Sequence, residues 1–149
     1  MSVTSALHAS HIHGTERKAI VQSVQILLCQ LTAAVSKGIG LTCKRVYINT
    51  RVMKHVYDKR PAQEYDFLVE NLGTIVKYPD RVYKNKDGKR GEYVFVKFYK
   101  NTFSLASIEV VNKESDDTQC EIVTFFTIDE DYLSDYKLLW EWKDGAPSS

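Results

Sequence analysis

The chain has 149 residues, 44% of them hydrophobic and 26% charged, with three prolines and seven glycines. This length suits one domain able to hold its own core, and the composition excludes a disordered tail, a collagen-like repeat and a disulfide scaffold. The formal net charge is +1, and Cys29, Cys43 and Cys120 are an odd, widely spaced set without a CxxC pair, which reads as reduced thiols.

Met1–Ile12 holds no Lys or Arg and so lacks the basic start of a secretory signal. The most apolar stretch, Ala19 to Val35, is interrupted by Gln22, Ser23, Gln25, Gln30 and Thr32, far from the ~20 apolar residues of a membrane span. The expectation is a soluble cytoplasmic protein with no membrane partner. Residues 1–14 are rich in Ser and His without apolar periodicity and read as a flexible arm. His8, His11 and His13 belong to that frayed terminus rather than to a metal site. Residues 15–145 then form a single domain.

From Thr15-Glu16 the spacing of Ile20, Val24, Leu27, Leu28, Leu31 and Val35 predicts a helix with a broad apolar face, ended by Lys37-Gly38. That face either docks on the domain or pairs with a second copy in a homodimer. Lys44 to Ile48 reads as a short strand, and Asn49-Thr50 caps a helix starting near Arg51. Pro61 divides it from a second helix, Ala62 to Val76, with Leu68, Leu72, Ile75 and Val76 on one side. From Arg81 the pattern turns antiparallel, with strands at Arg81–Asn85, Glu92–Tyr99, Ser104–Asn112 and Cys120–Thr127. Asp87-Gly88 marks a hairpin and Lys113–Thr118 a polar turn. Asp129 to Trp142, acidic at its start and apolar at Leu133, Leu138, Leu139 and Trp140, predicts a short C-terminal helix. The expected fold is α+β: N-terminal helices packed on a roughly four-stranded antiparallel sheet.

Chemistry is sought first around Arg51–Lys59. Val52, Met53, Val56 and Tyr57 form its buried arc, His55 lies just off it, and Arg51 and Lys59 stand four residues to either side. Neighbouring cations favour a neutral imidazole, suited to a general base near neutral pH; a solvated basic face is the plainer account. In Glu92–Tyr99, Val94, Val96 and Phe98 share one side, and Tyr93, Phe95, Lys97 and Tyr99 the other. The second side interleaves aromatics with a lysine, as surfaces that stack bases and hold phosphate do. If helices cover it, the aromatics are core and Lys97 must reach a rim or a partner. Thr124, placed with Ile122 and Phe126, offers a hydroxyl to a phosphate, although threonine is also a common strand former. There is no P-loop, GxGxxG or GxSxG motif, and no His or Cys pair has zinc-finger spacing. Asp129–Asp131 is helix capping before it is a metal-nuclease cluster.

The string Lys54-His55-Val56-Tyr57-Asp58-Lys59-Arg60-Pro61 is followed by Ile75-Val76-Lys77-Tyr78-Pro79-Asp80-Arg81-Val82-Tyr83. Tyr93-Val94-Phe95-Val96-Lys97, Ile122-Val123-Thr124-Phe125-Phe126 and Leu138-Leu139-Trp140 complete the set. Over residues 43–142 this pattern resembles the phage-associated (PBECR) branch of the BECR ribonuclease superfamily, which groups barnase, EndoU, colicin-type tRNases and RelE toxins. The resemblance implies a metal-independent endoribonuclease without a cofactor, in which the RNA 2′-hydroxyl attacks the adjacent phosphate. It implies tRNA or another structured RNA as substrate, a toxin- or phage-associated setting, and a protein inhibitor or immunity partner. Carried onto matching positions, His55 is the acid/base, Lys97 the electrostatic stabiliser and Thr124 a phosphate-oriented hydroxyl. Arg51, Lys54 and Arg60 are phosphate clamps on charge alone, with Tyr93 and Tyr99 as stacking partners. His55 is the sole histidine after residue 13, so two-histidine catalysis within the domain is not expected. The alternative is a non-catalytic RNA- or protein-binding module on the same fold.

The net charge conceals a separation along the chain. Residues 43–100 carry 14 Lys and Arg against 7 Asp and Glu, and residues 101–149 carry 3 against 11. The basic middle contains His55 and Lys97, so near-neutrality does not argue against RNA.

Overall fold

The computed structural model describes residues 2–11, 23–41, 44–86, 91–100, 102–111 and 119–142. Four α-helices occur among these residues: α1 (Val3–His11), α2 (Ala33–Ile39), α3 (Thr50–Lys59) and α4 (Ala62–Lys77). The strands are β1 (Gln25–Gln30), β2 (Arg45–Asn49), β3 (Arg81–Lys84), β4 (Tyr93–Tyr99), β5 (Thr102–Val111), β6 (Gln119–Ile128) and β7 (Lys137–Glu141). All seven join one sheet in the order β1-β2-β6-β5-β4-β3-β7. Its pairings are antiparallel except β2 with β6, which run parallel through Val46↔Cys120 and Tyr47↔Glu121. The expected four-stranded antiparallel sheet is therefore corrected to a seven-stranded mixed one.

The central elements form for the reasons their residues suggest. Asn49 leaves β2 in an extended conformation, and its side chain accepts from the Arg51 N–H, closing the first turn of α3. In α4, Tyr65, Leu68, Val69, Leu72, Ile75 and Val76 recur at spacings of three and four and are all buried. Each such burial contributes roughly 1.5–3 kcal/mol. Helix α4 lies against β1, β4, β5 and β6, and α3 against β2 and β6. The main core lies between these helices and the inward side chains Val46, Ile48, Val82, Phe95, Ala106, Ile108, Cys120, Ile122 and Phe125.

The sheet bends around α4. Helix α2 follows β1, at one end of the strand order, yet packs on β7 at the other. There Gly38 rides on the Trp140 indole so closely that a Cβ would overlap Cδ1 and lie 3.0 Å from Nε1. The opposite face of the sheet carries no α-helix among the described residues. A smaller cluster of Tyr83, Val94, Val96, Leu105 and Leu133 is buried there, with Phe98, Phe103, Phe126 and Tyr136 at its margin.

Two further expectations fail, the long helix from Thr15 and the C-terminal helix. The long helix from Thr15 is replaced, where the chain is described, by β1, a break and α2. Thr32 accounts for the break, because it adopts extended angles and its side chain accepts from Val35 N as the N-cap of α2. The helical face read as a dimer contact therefore does not exist between Gln25 and Gln30. The arm at residues 1–14 contains α1, docked on α4 through Leu7 in the core and hydrogen bonds from Ser2 and Thr4 to the Val69 carbonyl. The C-terminal helix is absent. Glu130–Leu133 makes a single 3-10 turn, and Lys137–Glu141 pairs with the edge of β3, where its backbone finds partners that no isolated sequence window reveals. The Asp87-Gly88 hairpin, the Lys113–Thr118 turn and Cys43 lie outside the described residues. No helix among the described residues is long and apolar enough to cross a membrane.

Candidate functional site

The sequence-derived catalytic set is not brought together. His55 is exposed on α3. Lys97 is on β4, on the helix-bearing side with Phe95, and its Nζ donates to the Tyr78 carbonyl oxygen at 2.8 Å, beyond the C-terminal end of α4. It borders a cavity of about 240 Å³ with Tyr78, Pro79, Asp80 and Trp142. Thr124 is on the other side of the sheet, because the register slips between Ser107 and Ile108 of β5. Ile122 and Phe125 both point to the main core, and Thr124 pairs with Ser107, which itself pairs with Val94 of the smaller cluster. The expected grouping of Thr124 with Ile122 fails because one irregular residue reverses the alternation.

The RNA-contact candidates divide in the same way. Arg51 is exposed at the start of α3. Lys54 is buried, ion-paired with Asp58 and set 5.3 Å above the Tyr57 ring, so its charge is already spent within the fold. Tyr93 is half-buried against the main core with Lys84 over its ring. Tyr99 packs edge-on to Phe67 of α4, and its hydroxyl is buried with no hydrogen bond among the described residues. Burial and the nearby Asp80 carboxylate push that phenol's pKa up. Tyr99 is thus covered by α4 and Tyr93 is half-buried against the main core, in line with the alternative account of this strand. Arg60 borders a cavity of considerable size.

That cavity, about 650 Å³, lies at the end of β5 and β6 beside the α3–α4 corner. Arg60 reaches the Phe126 ring, 4.8 Å from its centroid, with its Nε 3.7 Å from Glu64. Glu64 in turn accepts from the Thr127 N–H. Tyr132, 46% exposed, stands edge-on to Phe126 at 5.8 Å and stacks on Tyr136 at 5.7 Å. Thr102, Thr127, Asp129 and Asp131 complete the lining. On the same face Phe98 and Phe103 stack at 4.5 Å, and the Arg81 guanidinium lies 5.0 Å over Phe98. By register, Arg81, Val96, Leu105 and Phe126 stand in one row across four strands, a span of ~14 Å. The helix-free face thus has a buried centre of Val96 and Leu105 packed with Leu133, and half-buried aromatic rings around it, with a guanidinium plane on Phe126 at one end and on Phe98 at the other.

No protein-family model, no curated protein and no solved structure matches the chain. Among the described residues no three His, Cys, Asp or Glu side chains gather as a metal site. Asp129, expected to cap a helix, occupies the N-cap of the 3-10 turn without making a side-chain cap bond.

A second polar cluster lies between α1, α3 and α4. His8 Nδ1 and the Tyr65 hydroxyl share a hydrogen bond at 2.7 Å, and the His8 ring stacks obliquely on Tyr57 and Tyr65. Sequence inspection placed His8 in a frayed arm. The Ser-x-Thr start and the Thr4, Leu7, His8 spacing carried the signal, but over nine residues it is too short to stand out. Burial holds the Tyr65 phenol above its usual range and is the largest influence lowering His8 below 6.5, with Lys54 adding and Asp66 opposing. Because docking lowers this pKa, α1 docking is intact well above pH 6.5 and weakens as pH falls through that value toward the docked pKa. Hydrogen exchange, corrected for its intrinsic pH dependence, should show α1 amides less protected at pH ~5.5 than at ~7.5. His8→Phe should abolish the difference. Equal protection of the unaltered chain at both pH values would refute the coupling.

Proposed function

We propose that this chain is an RNA-binding module that contacts unpaired RNA through the helix-free face of its sheet, without performing cleavage at His55, Lys97 and Thr124. The observation that carries this is the placing of Arg60 on Phe126 and Arg81 on Phe98 at the two ends of an aromatic strip. Rings and guanidinium planes are sequence-tolerant stacking surfaces for bases, and each arginine keeps donors for phosphate. The resemblance of the 43–142 segment to BECR ribonucleases supports RNA as the partner class. Cleavage is disfavoured because an acid/base, a cation and a phosphate-oriented hydroxyl must converge on one phosphate, whereas these three occupy separate parts of the molecule.

Among the described residues, basic and acidic side chains separated along the sequence meet in space. Arg81 pairs with Glu141 at 2.6 Å and Lys86 with Asp135 at 3.3 Å, and Arg60 shares its cavity with Asp129 and Asp131. The acidic tail folds back onto the basic middle. Binding is therefore dominated by stacking, with few phosphate contacts. Titrating labelled single-stranded RNA at several salt concentrations should give a shallow dependence, a log–log slope of ~−0.7 to −1.4, as for one or two phosphates. Products should contain no 2′,3′-cyclic phosphate. EDTA-resistant cleavage that is lost in His55→Ala would overturn this in favour of the nuclease.

A further inference from the structure

The cavity beside Arg60 carries charges that a uniform RNA platform does not need. Two carboxylates, Asp129 and Asp131, line it within the strip that must approach a polyanion. Neither side chain is used in a hydrogen bond or ion pair among the described residues, and Asp129 leaves its capping role empty. The carboxylates disfavour an anion and present hydrogen-bond acceptors, while Arg60, held beside Glu64 at 3.7 Å, presents donors and a guanidinium plane. The matching ligand is a neutral planar group that presents hydrogen-bond donors to the acids and a ring face to Phe126 or Tyr132. A volume of about 650 Å³ accommodates a nucleotide.

We infer that this cavity, resting on the RNA reading above, is a base-selective pocket for an unpaired nucleotide whose base bears an exocyclic amino group, cytosine among the pyrimidines. Aspartate is an acceptor suited to the cytosine N4 amino group. Uracil offers a carbonyl oxygen at that position, which would face a carboxylate with no proton between them. Two acceptors brought together in this way lose their water without gaining a bond. Arg60 remains placed for the phosphate of the same nucleotide, and Thr102 and Thr127 supply hydroxyls at the rim.

The experiment titrates the full chain with labelled C8 and U8 RNA, which differ in the base edge, in one low-salt buffer. C8 should bind roughly 10-fold more tightly than U8. Asp129→Asn with Asp131→Asn should remove most of that preference, since an amide both donates and accepts. Its thermal midpoint, followed by circular dichroism, should match that of the unaltered chain. Either single replacement serves if the pair unfolds. Equal binding of C8 and U8 by the unaltered chain would overturn the pocket assignment while leaving RNA binding in place. A C8 preference unchanged by the Asn variants would overturn the role of the two carboxylates. Failure of both oligomers to bind would overturn the RNA reading itself.

Discussion

Gly91→Ala should lower the unfolding free energy by on the order of 3 kcal/mol. Gly91 is buried just before β4, at φ +96, and its carbonyl accepts from the Asn85 side chain at 2.9 Å. A Cβ there would collide with Ser107 Oγ and lie 2.9 Å from the Ile108 carbonyl oxygen. That oxygen already accepts from the Glu92 N–H at 2.8 Å, so the backbone has no freedom to retreat. The collision falls on the Ser107/Ile108 irregularity that also sets which way Thr124 faces. Gly40→Ala is the control. Gly40 has a similar φ of +76 with nothing within 4 Å of the added Cβ, so only backbone strain remains, about 1 kcal/mol. Urea unfolding of both variants measures the difference. Equal losses would show that the packing of Gly91 against β5 does not matter.

Phe126→Ala should weaken binding of unpaired RNA by about 10-fold, the scale of one lost base–aromatic stack. Phe126 also carries the Arg60 guanidinium, so part of the loss comes from releasing that cation to solvent. Phe126→Leu separates loss of the ring, with its stack and its hold on Arg60, from loss of apolar packing. It retains an apolar side chain at the margin of the smaller cluster but removes the ring face, so stability should hold while affinity still falls. Arg60→Gln should make the salt dependence shallower by nearly one phosphate contact. His55→Ala should change neither quantity, because His55 is on α3 and takes no part in the strip. Full affinity in Phe126→Leu would remove the helix-free face as the contact surface.

Much of the centre of the fold was legible in the residues. Asn49 before Thr50, the three-and-four spacing of α4 and the alternation of β4 each depend on neighbours within a few positions, and α3, α4 and β4 form as expected. Segments that were misread have ambiguous local patterns. Gln25–Gln30 is a six-residue run in which helical and strand spacings coincide, and its irregularity between Leu27 and Cys29 blurs the strand period. Leu138-Leu139-Trp140 fits a helix face equally well, and only the exposed edge of β3 makes it a strand.

The same division holds for the candidate site. Residue chemistry singled out Lys97, Tyr93 and Tyr99 as an aromatic-cationic set, and the alternation that put them on one side was correct. Which side the helices would cover was beyond its reach, and α4 covers that one. The rings at the margin of the helix-free face, half-buried Phe98, Phe103 and Phe126 and exposed Tyr132, come from three strands and a turn and share no local spacing.

Length, composition and short-range periodicity by themselves determine that this chain builds an α+β core from amphipathic helices and alternating strands. They do so because burial of an apolar face is decided by neighbours three or four positions away in a helix and two in a strand. Only the tertiary structure decides the parallel junction of Val46 with Cys120, the side on which Thr124 emerges and the return of the acidic tail onto Arg60, Arg81 and Lys86. Those features depend on contacts between residues far apart in the chain, and on them rests which face of the sheet the α-helices cover.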